Sequence, residues 1–297
     1  MGKIQTSVGS ITDRRNISTS EIFFHYIADG NGLCYVEFAS AINRVAESKG
    51  TGMPSELNFG GKTALVVGGS SGIGNAIAQS FRANGADVHV WGTRDPTGYI
   101  ATEGSDLSGL RYSRIDVSVA EAVEAWRPPF TRLDVLVLSQ GTALYGQKEF
   151  ETAGFREVLE VNLTSLMTCC TKFRGALKEA AGTVIIISST AAYHATYGNP
   201  AYNASKAGAV GLTRTLGMAW ARDGIRVNGI APGLVATKLT QVTTEHPDRL
   251  KRSLARIPLK RPGTPHEIAS VALFLASPLA SYIVGHTIIV DGGLIVY

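Results

Sequence analysis

The sequence predicts an α/β fold built on a doubly wound, seven-stranded parallel sheet with helices on both faces. From Lys62 onward, short apolar stretches alternate with longer segments whose apolar residues recur at helical spacing. Strands without internal polar residues are typical of a sheet that is buried on both sides by its crossover helices. A glycine-rich turn also joins the first such strand to the first helix, as in Rossmann-type sheets.

Seven stretches have the composition of buried strands. They are residues 63–67, 88–91, 110–115, 133–138, 184–187, 225–230 and 287–290. Between them we expect two long helices, over about 152–180 and 201–222, and another that begins at the capping box Thr264 to Glu267. The sequence has no internal repeat and no signal of a second domain, so residues 58–297 are predicted to form one domain.

The composition narrows the class of protein. Of the 297 residues, 44% are hydrophobic and 18% are charged, enough apolar material for one large core. The net charge is +4, but no dense basic run is interleaved with aromatic residues, so we expect no nucleic-acid partner. No apolar run approaches the roughly 20 residues that cross a bilayer, and the start does not resemble a signal peptide. The three cysteines are typical of buried core residues in a reducing compartment. We therefore predict a soluble, cytoplasmic protein without a membrane partner.

Residues 1–57 differ from the rest and are predicted to form a weakly ordered N-terminal extension. They are rich in Ser, Thr, Asn and Gly, with helical spacing after the capping box at Ser18 and again over 33–46. A packing arm or partner-binding hairpin is the alternative interpretation. Met53 stands where the regular pattern is about to begin, which leads to the hypothesis that native translation starts there.

The turn after the first strand has the spacing Gly68-x-x-x-Gly72-x-Gly74. Such a turn lets backbone amides and a helix N-terminus approach a pyrophosphate. An ordinary strand-to-helix turn would explain the first glycine but not the two that follow. The residues of this turn that are predicted to bind a cofactor are Gly68, Ser70, Ser71, Gly72, Ile73 and Gly74.

A second group of residues follows the strand at 184–187. Ser189 lies at the strand's end, and Tyr202 and Lys206 are four residues apart, so they share one helix face. An ammonium beside a phenol favours the phenolate, which would lower the tyrosine pKa from about 10 toward neutrality. Taken singly, each residue could be an ordinary strand end or helix surface residue.

Together these motifs resemble the single-domain branch of the short-chain dehydrogenase/reductase family, over about residues 57–297. Further matching pieces occur in the same order: Asp116-Val117, Asn162 within Val161-Asn162-Leu163, residues 232–237, residues 261–265, and Asp291-Gly292-Gly293. The pattern is most similar to the 3-ketoacyl-carrier-protein reductase type, which many alcohol dehydrogenases and ketone reductases share.

The resemblance implies four catalytic residues. Tyr202 would be the general acid or base, Lys206 would lower its pKa and hold the nicotinamide ribose, and Ser189 would bond the substrate oxygen. Asn162 would hold a water that links Lys206 to solvent. His194 has no second His or Cys at a ligand spacing, and no metal site is expected.

The resemblance also implies a nicotinamide dinucleotide. Adenine would contact Asp116 and Val117, Gly141 would let the cofactor pass closely, and the carboxamide would meet residues 235–237. At the tip of the second strand, Thr93 and Arg94 favour the 2′-phosphate of NADP(H), whereas Asp95 would leave NAD(H) possible if it faced the ribose. The implied cofactor residues after the glycine turn are Thr93, Arg94, Asp116, Val117, Gly141, Tyr202, Lys206, Pro232, Gly233, Val235 and Thr237.

The expected substrate is a small ketone or secondary alcohol. The alternatives are a 3-ketoacyl thioester and, less favoured, a non-catalytic nucleotide sensor. Predicted pocket walls are residues 142–145, 190–197 and 234–258. The family's usual Asn-Asn-Ala-Gly is replaced here by Leu138-Ser139-Gln140-Gly141. By analogy the chain would form a homo-oligomer, a tetramer or dimer, through the two long helices and the last strand.

Overall fold

The computed structural model describes residues 26–28, 34–36, 55–99 and 104–296. The chain divides into two units, Met1–Gly52 and Met53–Tyr297. In the first unit, strands β1 (Tyr26–Ala28) and β2 (Cys34–Val36) pair antiparallel.

The prediction of helical segments is wrong at these two strands. The sequence between them contains Gly30-Asn31-Gly32, and an Asn-Gly pair between apolar stretches is a strong hairpin signal, which outweighs the helical spacing. The remainder of both predicted helices, including the capping box at Ser18, lies outside the described residues.

The second unit contains the predicted seven-stranded parallel sheet, in the order β5-β4-β3-β6-β7-β8-β9. The strands are β3 (Thr63–Val67), β4 (Asp87–Gly92), β5 (Arg111–Arg114), β6 (Val135–Leu138), β7 (Thr183–Ile187), β8 (Arg226–Pro232) and β9 (Thr287–Val290). The order reverses between β3 and β6. A crevice forms outside the carboxyl ends of the strands at such a switch point.

Eight α-helices surround the sheet in the described part of this unit. They are α1 (Gly72–Ala83), α2 (Ala120–Ala125), α3 (Thr152–Leu159), α4 (Ser165–Ala180), α5 (Pro200–Trp220), α6 (Gln241–Thr244), α7 (Pro247–Arg256) and α8 (Pro265–Ala276). The predicted capping box opens α8, where Thr264 and Glu267 bond each other's backbone amides.

Alternate residues of β3 serve two separate cores. Val66 packs on one face with Phe81 of α1 and Leu275 of α8. Leu65 packs on the other face with Phe173 of α4 and Leu216 of α5. Because successive side chains of a strand point to opposite faces, one short apolar strand joins both layers of helices.

The predicted helix over 152–180 is interrupted. A π-helical turn, Glu160–Thr164, separates α3 from α4 and contains the buried Asn162. Single π-helical turns inside helices occur frequently at functional sites. Among the described residues, no helix combines the length and apolar character needed to span a bilayer.

Candidate active site

A cavity of about 670 Å³ opens at the carboxyl ends of the central strands. Its wall contains all of the residues predicted to bind the dinucleotide and three of the four predicted catalytic residues, Ser189, Tyr202 and Lys206. The fourth, Asn162, is fully buried outside the lining. The switch point of the sheet therefore brings together residues from eight separate stretches of sequence.

The glycine turn shapes one end of this cavity. Gly68 and Gly72 adopt positive φ values of 73° and 56°, which favour glycine. A Cβ on Gly74 would lie 2.2 Å from the Gly68 carbonyl oxygen, so the start of α1 can approach the turn only without a side chain. Since the N-terminal turn of α1 lines the cavity, its backbone and dipole suit a phosphate group. These features fit a dinucleotide.

The tip of β4 presents a cation to the same cavity. The Arg94 guanidinium lies 4.2 Å from the centre of the Tyr99 ring and donates to the Gly98 carbonyl at 2.9 Å. The Asp95 carboxylate is exposed and accepts hydrogen bonds from the amide and hydroxyl of Thr97. Arg94, and not Asp95, therefore lines the cavity.

Tyr99 is a cavity residue that the sequence analysis missed. A Cβ on Gly92 would lie 2.4 Å from the Tyr99 hydroxyl, so only glycine at the end of β4 allows this approach. The Arg94 amide donates to the same hydroxyl at 3.1 Å. The only sequence signal was an aromatic residue in a polar loop, which has many ordinary explanations.

The two residues predicted to contact adenine, Asp116 and Val117, lie in a turn after β5. The Asp116 carboxylate accepts from the amide of Ser118 at 3.0 Å and from its hydroxyl at 2.7 Å. Val117 is buried beside it and lines the cavity. The carboxylate thus holds the turn that exposes this wall.

Ser189, Tyr202 and Lys206 converge where β7 ends and α5 begins. The Lys206 ammonium donates to the Ile187 carbonyl at 3.0 Å and lies 5.6 Å from the centre of the Tyr202 ring. The Ser189 hydroxyl hydrogen-bonds Tyr202 and accepts from the Ala191 amide at 3.1 Å. A hydroxyl, a phenol and an ammonium therefore face one part of the cavity.

The pKa of Tyr202 is shifted in the direction opposite to the expected one. Burial raises the pKa of Tyr202, the hydrogen bond from Ser189 opposes this, and Tyr145 and Glu149 raise it further. Burial also lowers the pKa of Lys206 to about 8. Attraction between the two groups alone would shift both pKa values the other way, whereas desolvation disfavours the charged form of each group.

Asn162 lies behind the cavity wall and links two of its elements. Its side-chain amide donates to the Thr142 carbonyl at 2.9 Å and to the Ser205 hydroxyl at 3.1 Å, and its oxygen accepts from the Thr142 amide at 2.7 Å. The π-helical turn places this side chain between α5 and the segment after β6. A Cβ on Gly141 would face both Asn162 and the Lys206 ammonium, so the bare backbone there keeps that space open.

The segment after β8 closes the cavity on the opposite side. Val235 forms a parallel bridge with Gly263, and the Thr240 hydroxyl donates to the Val235 carbonyl at 2.6 Å. A Cβ on Gly233 would lie 2.7 Å from the Cβ of Asp291, so this turn is close-packed. The contacts hold Val235 and Thr237 at the cavity wall.

The segment that departs from the family pattern has its own bracing contact. The Gln140 amide donates to the Ser165 hydroxyl at 3.0 Å, which ties the end of β6 to α4. Within the described residues, the Gln140 side-chain oxygen is buried without a hydrogen-bond partner. The glutamine thus connects the end of β6 to the start of α4.

Only some of the residues predicted to form the substrate pocket line the cavity. Thr142 and residues 237–240 line it, and the Tyr145 hydroxyl donates to the Leu239 carbonyl at 2.8 Å. Tyr197, by contrast, is fully exposed. The segments after β6 and β8 are therefore in direct contact. Among the described residues, no group of three or more His, Cys, Asp or Glu side chains could hold a metal ion.

Glu149 is the second residue that the sequence analysis missed. It is fully buried, whereas the neighbouring Phe150 is 66% exposed. Hydrophobic patterning would assign these two residues the other way round, so the sequence carried no usable signal. The contacts of Glu149 are described below.

Comparison with known proteins identifies the family. A family model described as Enoyl-(Acyl carrier protein) reductase matches residues 67–295. The 3-oxoacyl-[acyl-carrier-protein] reductase FabG of Chlamydia pneumoniae is 38% identical over 253 residues, which cover 80% of this chain and 99% of that protein. The chain belongs to the short-chain dehydrogenase/reductase family. It is an NAD(P)-dependent oxidoreductase that acts on CH–OH and C=O groups.

Other relatives in the short-chain dehydrogenase/reductase family carry different substrate names. The 3alpha-hydroxysteroid dehydrogenase of Mediterraneibacter gnavus is 35% identical over 246 residues, covering 78% of this chain and 96% of that protein. Among solved structures, a putative 2-deoxy-d-gluconate 3-dehydrogenase from Agrobacterium tumefaciens with bound NADP is 33% identical, with a TM-score of 0.73. That match covers 82% of this chain and 100% of the other.

Proposed function

We propose that this enzyme uses NADP(H) to interconvert a ketone and a secondary alcohol, with Tyr202 as the general acid or base. The observation that carries the proposal is the meeting of Ser189, Tyr202 and Lys206 in the wall of the cavity that contains the glycine turn. Bound at the turn, the dinucleotide would supply or accept hydride at its nicotinamide ring.

Ser189, Tyr202 and Lys206, the catalytic cluster, would transfer the proton and stabilise the negative charge that develops on the substrate oxygen. In reduction, Tyr202 would donate its proton to the carbonyl oxygen, and the Ser189 hydroxyl would bond the same oxygen as negative charge develops. Lys206, held by the Ile187 carbonyl, would favour departure of that proton through its own positive charge. Asn162 would position α5 relative to Thr142 through its hydrogen bonds to Thr142 and Ser205. It would also hold a water molecule that links Lys206 to solvent.

A conservative variant of Tyr202 tests this assignment. Tyr202→Phe removes the hydroxyl but keeps the ring, so we expect turnover to fall by about 10²–10⁴-fold while NADP(H) affinity stays within about threefold. Nicotinamide absorbance measures the first quantity and nucleotide fluorescence titration the second. Tyr282→Phe, at a fully exposed tyrosine, is the matched control. Turnover equal to that of the unmodified enzyme in Tyr202→Phe would reject the role.

The preference for NADP(H) rests on the tip of β4. Arg94 lines the cavity and can pair with a 2′-phosphate, while Asp95 is engaged by Thr97. The solved relative from Agrobacterium tumefaciens contains bound NADP. Steady-state kinetics with both cofactors test the preference, and a higher kcat/KM with NADH would contradict it.

A 3-ketoacyl thioester is the second candidate substrate. It is supported by the FabG relative and by four exposed basic residues in α7, Arg249, Lys251, Arg252 and Arg256, which could attract an acidic carrier. Comparing ethyl acetoacetate with acetoacetyl-CoA under one assay separates the two substrate classes. The nucleotide sensor, the least favoured candidate, predicts cofactor binding without turnover of either compound.

We also infer a homo-oligomer, either a dimer or a tetramer. Large apolar side chains are exposed on the elements that the sequence analysis named, with Met167 on α4, Met218 on α5 and Ile289 on β9. Light scattering on the full chain would test this, and a monomer at micromolar concentration would contradict it. A cytoplasmic location remains part of the proposal.

A further inference from the structure

The Glu149 carboxylate connects three segments around the catalytic cluster. One oxygen accepts from the Leu144 amide at 2.9 Å and from the Asn199 side-chain amide at 3.0 Å. The other accepts from the backbone amide of Tyr202 at 2.9 Å. A buried carboxylate with three donors is held in one orientation, since moving it would leave charge and donors unsatisfied.

Local backbone geometry turns this side chain inward. Gln147 adopts a left-handed conformation with φ 64°, and the 3₁₀ turn Lys148–Phe150 follows it. A Cβ on Gly154 would lie 2.2 Å from the Lys148 carbonyl oxygen, so α3 packs tightly against this turn. The turn can therefore hold a glutamate inside although its sequence neighbours are exposed.

The carboxylate also completes the N-terminus of α5. Asn199 precedes the helix but uses its side-chain amide on Glu149 and on the Leu144 carbonyl. Pro200 occupies the first helical position and has no amide hydrogen. Glu149 thus supplies from another segment the acceptor that a helix usually takes from its own N-cap residue, and it does so at Tyr202 itself.

We propose that Glu149 is a positioning residue, which fixes the first turn of α5 and with it the place of Tyr202 in the cavity wall. This inference rests on the proposed acid–base role of Tyr202. The carboxylate acts through the backbone of α5 and through its charge, and it need not touch the substrate.

Four groups set the electrostatic surroundings of the Tyr202 hydroxyl. Ser189 donates a hydrogen bond from the end of β7, and Lys206 lies over the ring from the next turn of α5. Tyr145 and Glu149 face it from the segments after β6, and both raise its pKa. Burial raises this pKa most, so either removing the charge of Glu149 or loosening the structure would lower the pKa of Tyr202. Glu149→Asp, which keeps the charge, separates the two causes.

Three variants separate charge from geometry. Glu149→Gln removes the charge, Glu149→Asp keeps the charge but shortens the side chain, and Asn199→Ala removes one donor. In Glu149→Gln we expect the Tyr202 pKa to fall by about 0.5–1 unit and single-turnover hydride transfer to ethyl acetoacetate to slow by about 10–100-fold. The other two variants should slow transfer at least about fivefold with the pKa nearly unchanged.

The tyrosine pKa is measured by NMR of full-length protein labelled at the tyrosine ζ-carbons. Tyr202→Phe identifies the resonance, so this readout needs no turnover. Glu151→Gln, at an exposed glutamate two residues away, is the control and should change neither quantity.

An unchanged pKa and transfer rate in folded Glu149→Gln would overturn the proposal. If that variant does not fold, Glu149→Asp and Asn199→Ala decide instead. Hydride-transfer rates equal to those of the unmodified enzyme in both variants would overturn the proposal. Slower transfer with the Tyr202 pKa unchanged would support it. Persistent turnover in Tyr202→Phe would reject the proposed function, whereas loss of turnover there with no effect at Glu149 would reject only this inference.

Discussion

At the residue scale, Lys206 places a positive charge where it lowers stability. The side chain is only 4% exposed, and burial lowers the pKa of its ammonium to about 8. The Ile187 carbonyl compensates for only part of the lost hydration. A residue retained at this cost is expected where chemistry requires it.

Lys206→Met should therefore stabilise the protein while abolishing turnover. The folded pKa is lowered, so the unfolded chain binds more protons between pH 8 and the usual lysine value, and the unmodified protein gains stability as pH rises through that window. We expect Lys206→Met to be about 1–3 kcal/mol more stable at pH 7, with a smaller difference at pH 10.

Urea unfolding at the two pH values measures this effect. Lys251→Met, at an exposed lysine of α7, should show no comparable pH-dependent gain. A Lys206→Met variant that is less stable than the unmodified protein at pH 7 would contradict the argument.

Site residues could be predicted from the sequence when their partners are close to them along the chain. Tyr202 and Lys206 share one helix face, so their spacing was enough to bring them together. Glu149 could not be found in this way, because its three donors come from Leu144, Asn199 and Tyr202 across two other segments. Burial of a single side chain cannot be read from the sequence, and for this reason the predicted direction of the Tyr202 pKa shift was wrong.

At the scale of elements, the contact between the start of α1 and the glycine turn is the tightest requirement of the dinucleotide site. Gly74→Ala would place a methyl group 2.2 Å from the Gly68 carbonyl, so the helix or the turn must shift. We expect NADP(H) affinity to weaken at least about tenfold and the melting temperature to fall.

A helix glycine with room around it provides the comparison. Gly175 lies in α4 with open space where a Cβ would stand. Gly175→Ala should leave affinity unchanged and add about 0.5–1 kcal/mol of stability. Fluorescence titration and thermal melting of both variants test the pair, and normal affinity in Gly74→Ala would refute the close-contact argument.

The elements themselves were predictable to different degrees. The central strands could be predicted because a fully buried strand tolerates few polar residues. Helix α8 could be predicted because its capping box lies within four consecutive residues. The π-helical turn at 160–164 escaped prediction, since one widened turn barely alters the apolar spacing of a long helix. The β1–β2 strand pair was not predicted, because the helical spacing of a few apolar residues was preferred to the turn signal between the strands.

At the scale of the whole molecule, the division after Gly52 predicts that the second unit is self-sufficient. A chain beginning at Met53 retains all seven parallel strands, both cores and the complete cavity wall. We expect its turnover to remain within about twofold of the full chain and its melting temperature within about 3 °C.

Matched assays and thermal melting of the two chain lengths test this expectation. Intact-mass analysis of protein from the natural host separately tests whether translation starts at Met53. A shortened chain that loses turnover or aggregates would show that residues 1–52 contribute to the enzyme.

The order of the strands also sets a sequence of events during synthesis. Gly68 packs against the backbone of Ser139 and Gln140, and β3 is flanked in the sheet by β6, which emerges much later than β4. A nascent chain that has produced only β3, α1 and β4 has the glycine turn but not the backbone on which that turn rests. Because such long-range pairing forms slowly, dinucleotide capture should begin only after residue 141 has left the ribosome. Nucleotide binding then reports that the centre of the sheet has closed.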